Sequence, residues 1–185
     1  MESTDAELIA RIANGETLAV AELYDRFASM LFPMVFRVVR ERADAEDILH
    51  DAFVAVSERA YLYVPSRGSV AAWLVTLTRN LAIDRARRRI RRSALAQRDA
   101  LEQPRQAEAT PEELLGGARA SGVVRRALAG LPDAQRQTLE IAFYEGLSYP
   151  EIAEREGVPL GTVKSRAARA LLALREALAK EGIDP

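Results

Sequence analysis

The residues of this chain most able to do chemistry do it without bonds being made. One histidine, His50, and no cysteine are present in 185 residues. Imidazole general-base chemistry, thiolate nucleophiles and cysteine metal sites are therefore starved of candidates. No paired-carboxylate metal motif stands near a nucleophile, so an enzyme acting on DNA, such as a recombinase, is not expected. Three charge patterns remain. The run RNLAIDRARRRIRR, residues 79–92, presents Asn80, Asp84, Arg87, Arg88 and Arg91 on a broad helical face. Guanidinium groups at that density suit phosphates, and an asparagine amide can read a base edge. In ADAEDILHDAFVAVSE, residues 43–58, Asp44, Asp47 and Asp51 fall along a line opposite the apolar stripe Ala45, Ile48, Leu49, Ala52 and Val56. Carboxylates so placed repel one another unless a basic partner docks; alone they would only solvate the helix and favour its N-terminal dipole. The third pattern is SYPEIAEREGVPLGTVKSRAARA, residues 148–170. Gly157 can take the positive φ that ends one short helix, and Pro159 suits the start of the next. Ile152, Ala153, Val158 and Val163 can then pack between the two helices. Thr162, Lys164, Ser165, Arg166 and Arg169 are left facing outward as phosphate and base-edge ligands, with Arg166 the expected guanine reader.

The elements that carry these patterns are helices. Apolar residues recur at three- and four-residue steps, as in Leu8, Ile9, Ile12 and then Leu23, Phe27, Met30, Leu31, Met34, Val38, and no strand-like alternation persists. Breaks are expected at Asn14-Gly15, at Arg42–Asp44 and at Val64–Gly68, with a kink at Pro33. From Gln97 to Ala109 the apolar pattern thins to QRDALEQPRQAEA. Thr110-Pro111-Glu112-Glu113 then supplies a cap, a first-turn proline and early acids for a new helix. The fold class expected is all-α: two small helical domains, 1–95 and 111–185, on a flexible linker over 96–110.

The net charge of −1 conceals strong segregation. Residues 1–78 carry −5, whereas residues 79–98 carry +7 from eight basic and one acidic side chain. A basic block beside an acidic one implies local contact with a polyanion and an acidic surface kept for another partner. Free-protein DNA affinity should be weak, since it grows with the phosphates neutralised. The acidic N-terminus and the lack of any run near 20 apolar residues argue against export or membrane insertion, and the absence of cysteine fits a reducing cytoplasm.

Taken in order, DAEDILHDAFVAVSERA, WLVTLTRNLAIDRARRR and LPDAQRQTLEIAFYEGLSYPEIAEREGVPLGTVKSRAARALLALR resemble the successive signatures of a bacterial sigma factor of the extracytoplasmic-function (ECF) type. The resemblance covers nearly the whole chain. It implies a first domain that binds core RNA polymerase and the promoter's −10 element and a second that reads the −35 element. Asp44, Asp47, Asp51 and Phe53 match the family's polymerase contact, with His50-Asp51 standing where Gln-Glu is more usual. The loop YLYVPSRGSV, residues 61–70, matches the segment that captures an extruded −10 base, making Tyr61, Tyr63, Ser66 and Ser69 candidate pocket residues, although a tyrosine here could equally be core. Asn80, Asp84, Arg87, Arg88 and Arg91 match the helix beside that element, and Thr162, Lys164, Ser165, Arg166 and Arg169 the −35 recognition helix. The partners implied are core polymerase, promoter DNA and an anti-sigma factor that masks the DNA-reading surfaces. No small-molecule substrate, cofactor or metal is implied. The rival reading, a stand-alone helix-turn-helix repressor, would need a dimer interface, for which ALLALREALAK, residues 170–180, is the available stripe.

Overall fold

Where a sequence supplies both an apolar stripe and a side-chain cap, a helix starts abruptly, and two starts here are of that kind. The computed structural model describes residues 3–96 and 120–180. Helix α1 (Asp5–Ala13) opens on a capping box: Thr4 N donates to Glu7 at 2.7 Å and Glu7 N to Thr4 Oγ1 at 3.3 Å. These bonds hold the Glu7 carboxyl below its ordinary value, the backbone bond at Thr4 first. Helix α2 (Thr17–Val39) continues past Pro33, and Arg40, in the left-handed region at φ 61°, ends it. Helix α3 (Arg42–Arg59) follows at once. The break expected at Arg42–Asp44 thus falls two residues earlier, because Arg40 closes α2 by donating its N–H to Phe36 O at 2.8 Å. Two short 3-10 turns (Ala60–Leu62 and Pro65–Arg67) lead to α4 (Val70–Ala96). In the second part are α5 (Ala120–Ala129), α6 (Asp133–Glu140), a π turn (Ile141–Glu145), α7 (Tyr149–Glu156) and α8 (Leu160–Lys180). No strand occurs among the described residues. The linker and the helix start expected at Thr110 lie outside them.

The chain divides into two compact units, Met1–Gly116 and Gly117–Pro185. In the first, α2, α3 and α4 pack on one another around Leu23, Phe27, Leu31, Val35, Ile48, Leu49, Val56 and Leu74, with α1 closing one end through Leu8, Ile9 and Ile12. In the second, Ile141, Ile152, Ala153 and Val163 form the small core that joins the π turn, α7 and α8.

One core position is poorly matched to its surroundings. Thr78, on α4, is fully buried and its Oγ1 has no hydrogen-bond partner, whereas the equally buried Thr138 gives its hydroxyl proton to Ala134 O at 2.8 Å. A buried hydroxyl left unpaired costs roughly 1–3 kcal/mol, and valine has nearly the same shape. Thr78→Val should therefore stabilise the first unit by about 1 kcal/mol, read as a higher denaturant midpoint at unchanged slope. A lower midpoint would mean that the hydroxyl is satisfied in solution.

Candidate nucleic-acid and polymerase interfaces

Each charged run divides between faces that its linear order does not reveal. On α4, Asn80, Asp84, Arg87 and Arg91 succeed one another at i, i+4, i+7 and i+11 and form one exposed stripe, with Arg88 beside it. Arg91 Nε reaches Arg87 O at 3.4 Å, which steadies the end of the stripe. Arg85 and Arg89 are turned the other way, towards α3. Arg85 donates to Asp44 Oδ1 from Nε at 3.0 Å and from Nη2 at 2.7 Å, and approaches Asp47 Oδ2 at 3.5 Å. Arg89 lies 3.9 Å from Asp44 and 4.0 Å from Glu41. The bond to Asp44, followed by the attraction of Asp44, Asp47 and Asp51, raises the Arg85 guanidinium above its ordinary value. Arg79 is pushed the other way by burial and by nearby Arg87. Two of the arginines in the run thus reach across to the acids of α3.

The same contact sorts the acids of α3. Asp44, with only 17% of its side chain exposed, is occupied by Arg85 and does not stand in the open row expected for it. Asp47 and Asp51 are exposed, and with them on the outer face lie His50 and Val54. Val54, a large apolar side chain held 43% exposed, was not singled out from the sequence. Its spacing, i+7 from Asp47 and i+3 from Asp51, was the available signal. Phe53 is a correction of another kind. It is 4% exposed and sits edge-on to Tyr24 at 4.9 Å, so it is core and supports the acidic face from beneath. The i, i+4 step from Leu49 places it in the buried stripe.

The loop between α3 and α4 separates in the same way. Tyr63 donates its hydroxyl to Gly68 O at 3.0 Å and packs against Trp73 at 5.7 Å. Ser69 caps α4, its Oγ accepting from Ala72 N at 3.2 Å. Gly68, at φ 139°, occupies backbone space that a side chain would strain even though a Cβ there would meet only ordinary contact. Tyr63, Gly68 and Ser69 therefore hold the loop in shape. Tyr61 (72% exposed), Leu62, Val64 and Ser66 are what it presents.

In the second unit, Ser148 and Glu151 form a capping box that starts α7, with Pro150 in its first turn. Gly157 ends α7 at φ 65°, as its spacing predicts, and α8 begins three residues later. Arg155, on α7, is held to Glu145 on the π turn, a bond that raises its guanidinium above the ordinary value. On α8, Val163, Ala167 and Ala170 are buried, and Lys164, Ala168 and Arg169 are exposed, with Ser165 half-buried between them. Thr162 is half-buried at the edge. Arg166 departs from its expected place: Nη1 donates to Glu156 Oε2 at 2.7 Å, beside the core and off the outward line. Among the described residues no three His, Cys, Asp or Glu side chains cluster to hold a metal, and no helix is long and apolar enough to cross a membrane.

Two family models match this chain, Sigma-70 region 2 over residues 23–92 and Sigma-70, region 4 over residues 121–174. They fall on the two units and in the order of the motifs. The ECF RNA polymerase sigma factor SigK of Mycobacterium ulcerans (strain Agy99) is 34% identical over 174 residues, 92% of this chain and 91% of that protein. The chain belongs to the ECF sigma factors. A second relative, SigK of Mycobacterium tuberculosis (strain ATCC 25177 / H37Ra), is 33% identical over the same share of each chain. Among solved structures, Rhodobacter sphaeroides SigE in complex with the anti-sigma ChrR is 31% identical over 95% of this chain and 99% of that one, with a TM-score of 0.47. The sigma factor RpoE of Bartonella quintana, in complex with the anti-sigma factor NepR, is 24% identical over 91% and 98%, with a TM-score of 0.38. This sigma factor is a transcription initiation factor.

Proposed function

We propose that the two units divide promoter selection as follows, with no catalytic step of the chain's own. In the cytoplasm, the first unit binds core RNA polymerase through the outer face of α3, with Asp47 and Asp51 meeting cations and Val54 the apolar surface between them. Asp44 serves that face indirectly, by tying α3 to α4 through Arg85. The −10 element is read next to it: Tyr61, Leu62, Val64 and Ser66 offer a rim on which an extruded base can stack, Asn80 offers its amide to a base edge, and Arg87, Arg88 and Arg91 follow the adjoining backbone, with Asp84 in the same stripe. The second unit reads the −35 element in the major groove through Lys164, Ser165 and Arg169, with Thr162 at the groove edge.

The observation that carries this reading is the segregation of charge across one helix pair. Exposed carboxylates occupy the outer face of α3 and a basic stripe the outer face of α4, and the charges between them, Asp44, Arg85 and Arg89, offset one another. One unit can thereby present surfaces of opposite sign to two partners at once. An anti-sigma factor fits the same scheme, since exposed Tyr61, Leu62, Leu171 and Leu172 leave apolar surface to be covered when the protein is silent.

In vitro transcription with core polymerase and a promoter library randomised at −10 and −35 tests the whole reading. Enrichment of a two-part motif is the expected result. Binding of duplex DNA as a stable dimer, with no transcription, would replace it with the repressor reading.

A further inference from the structure

Glu156 stands where an acid is unwelcome. It is the last residue of α7, and a carboxylate there meets the negative end of the helix dipole. Its compensation is Arg166, ten residues on, whose Nη1 donates to Glu156 Oε2 at 2.7 Å across the helix-turn-helix corner. With 17% and 27% of their side chains exposed, the two form a largely enclosed ion pair. Arg166 itself lies on an edge of α8, in register with Thr162 (i−4) and Arg169 (i+3), between the buried line Val163, Ala167, Ala170 and the outward line through Ser165. Released from Glu156, a guanidinium on that edge would be a mobile cation beside the outward line, suited to a phosphate.

We propose that Glu156 is a positioning residue for −35 recognition: it holds Arg166 away from the DNA, so that Lys164, Ser165 and Arg169 make the contacts that decide sequence. The proposal rests on the assignment of α8 as the −35 reader. Its physical content is a trade. Each additional arginine–phosphate contact strengthens binding to every sequence alike, which narrows the ratio of specific to non-specific affinity. Glu156 gives up that affinity in two ways, by neutralising Arg166 and by adding a negative charge near the corner that also attracts Arg155. A helix-turn-helix with the same reading residues and no acid at this position would bind duplex more tightly and choose less well.

The test uses the full chain assembled with core polymerase on promoter duplexes that differ only at −35, followed as affinity against salt. Glu156→Ala should steepen the dependence of log K on log salt by about 0.9, the increment for one duplex phosphate, and should lower discrimination among −35 variants several-fold. Glu156→Gln, which keeps the volume and a neutral acceptor, should move both readouts in the same direction by less. Adding Arg166→Ala to Glu156→Ala should return the salt slope to its starting value, which removal of a merely structural bond would not do. Wild-type discrimination that survives unchanged in both Glu156 variants overturns the proposal. So does a new preference for one base in Glu156→Ala, since the freed guanidinium would then be reading an edge. Indifference of the wild-type holoenzyme to −35 sequence would instead remove the assignment of α8 on which the proposal stands.

Discussion

Replacing Asp47 and Asp51 together with lysine should lower the affinity for core polymerase by at least about 100-fold while helical content stays nearly unchanged. Both carboxylates lie off the buried stripe of α3, and the contact between Asp47 and Arg85 is long, 3.5 Å, and exposed, so folding depends on them little. At an interface the outcome is different. Like charges brought together there cost several kcal/mol, and every 1.4 kcal/mol is a factor of ten. Asp44→Ala should show the opposite profile: a lower melting temperature, because it removes the acceptor of both Arg85 bonds, with a smaller loss of polymerase affinity. The measurements are titration of labelled core polymerase and thermal melting followed by circular dichroism. Core affinity that survives the double lysine change would end the assignment of this face.

The second large effect belongs to the outer stripe of α4. Alanine at Arg87, Arg88 and Arg91 together should weaken promoter complexes regardless of sequence and flatten the salt dependence by roughly 0.9 for each duplex phosphate no longer neutralised, or about 0.7 on single strands. Alanine at Arg85 and Arg89 should leave that slope almost unaltered and instead loosen α3 from α4, since those guanidinium groups are spent on Asp44. Asn80→Ala should behave in a third way, relaxing preference at one −10 position, because its amide can present both donor and acceptor to a base edge. Equal slopes for the two arginine sets would show that facing on this helix does not separate DNA contacts from internal ones. Unchanged preference in Asn80→Ala would make that residue part of the scaffold.

Local order along the chain determined a great deal about this protein. The three- and four-residue recurrence of apolar side chains assigns α1, α2 and α3, and Gly157 with Pro159 marks the corner of the helix-turn-helix; the capping boxes Thr4-Glu7 and Ser148-Glu151 are equally local. These features rest on interactions within a turn or two, so neighbours in sequence suffice to establish them. The order of the three motifs was enough to point to the family, and the segregation of charge to two partners of opposite sign. What tertiary structure alone decided is which of the charged and aromatic side chains remain available. Asp44 and Arg85 are 41 residues apart, and nothing local says that one neutralises the other. Phe53 leaves the surface because Tyr24 on α2 is there to meet it, and Arg166 leaves the outward line of α8 because α7 delivers Glu156 to it. Periodicity fixes the direction of a side chain to within the arc of one helix face. Whether that arc faces solvent or an opposite charge depends on how neighbouring helices cross, and crossing is set by the packing of side chains distant in sequence.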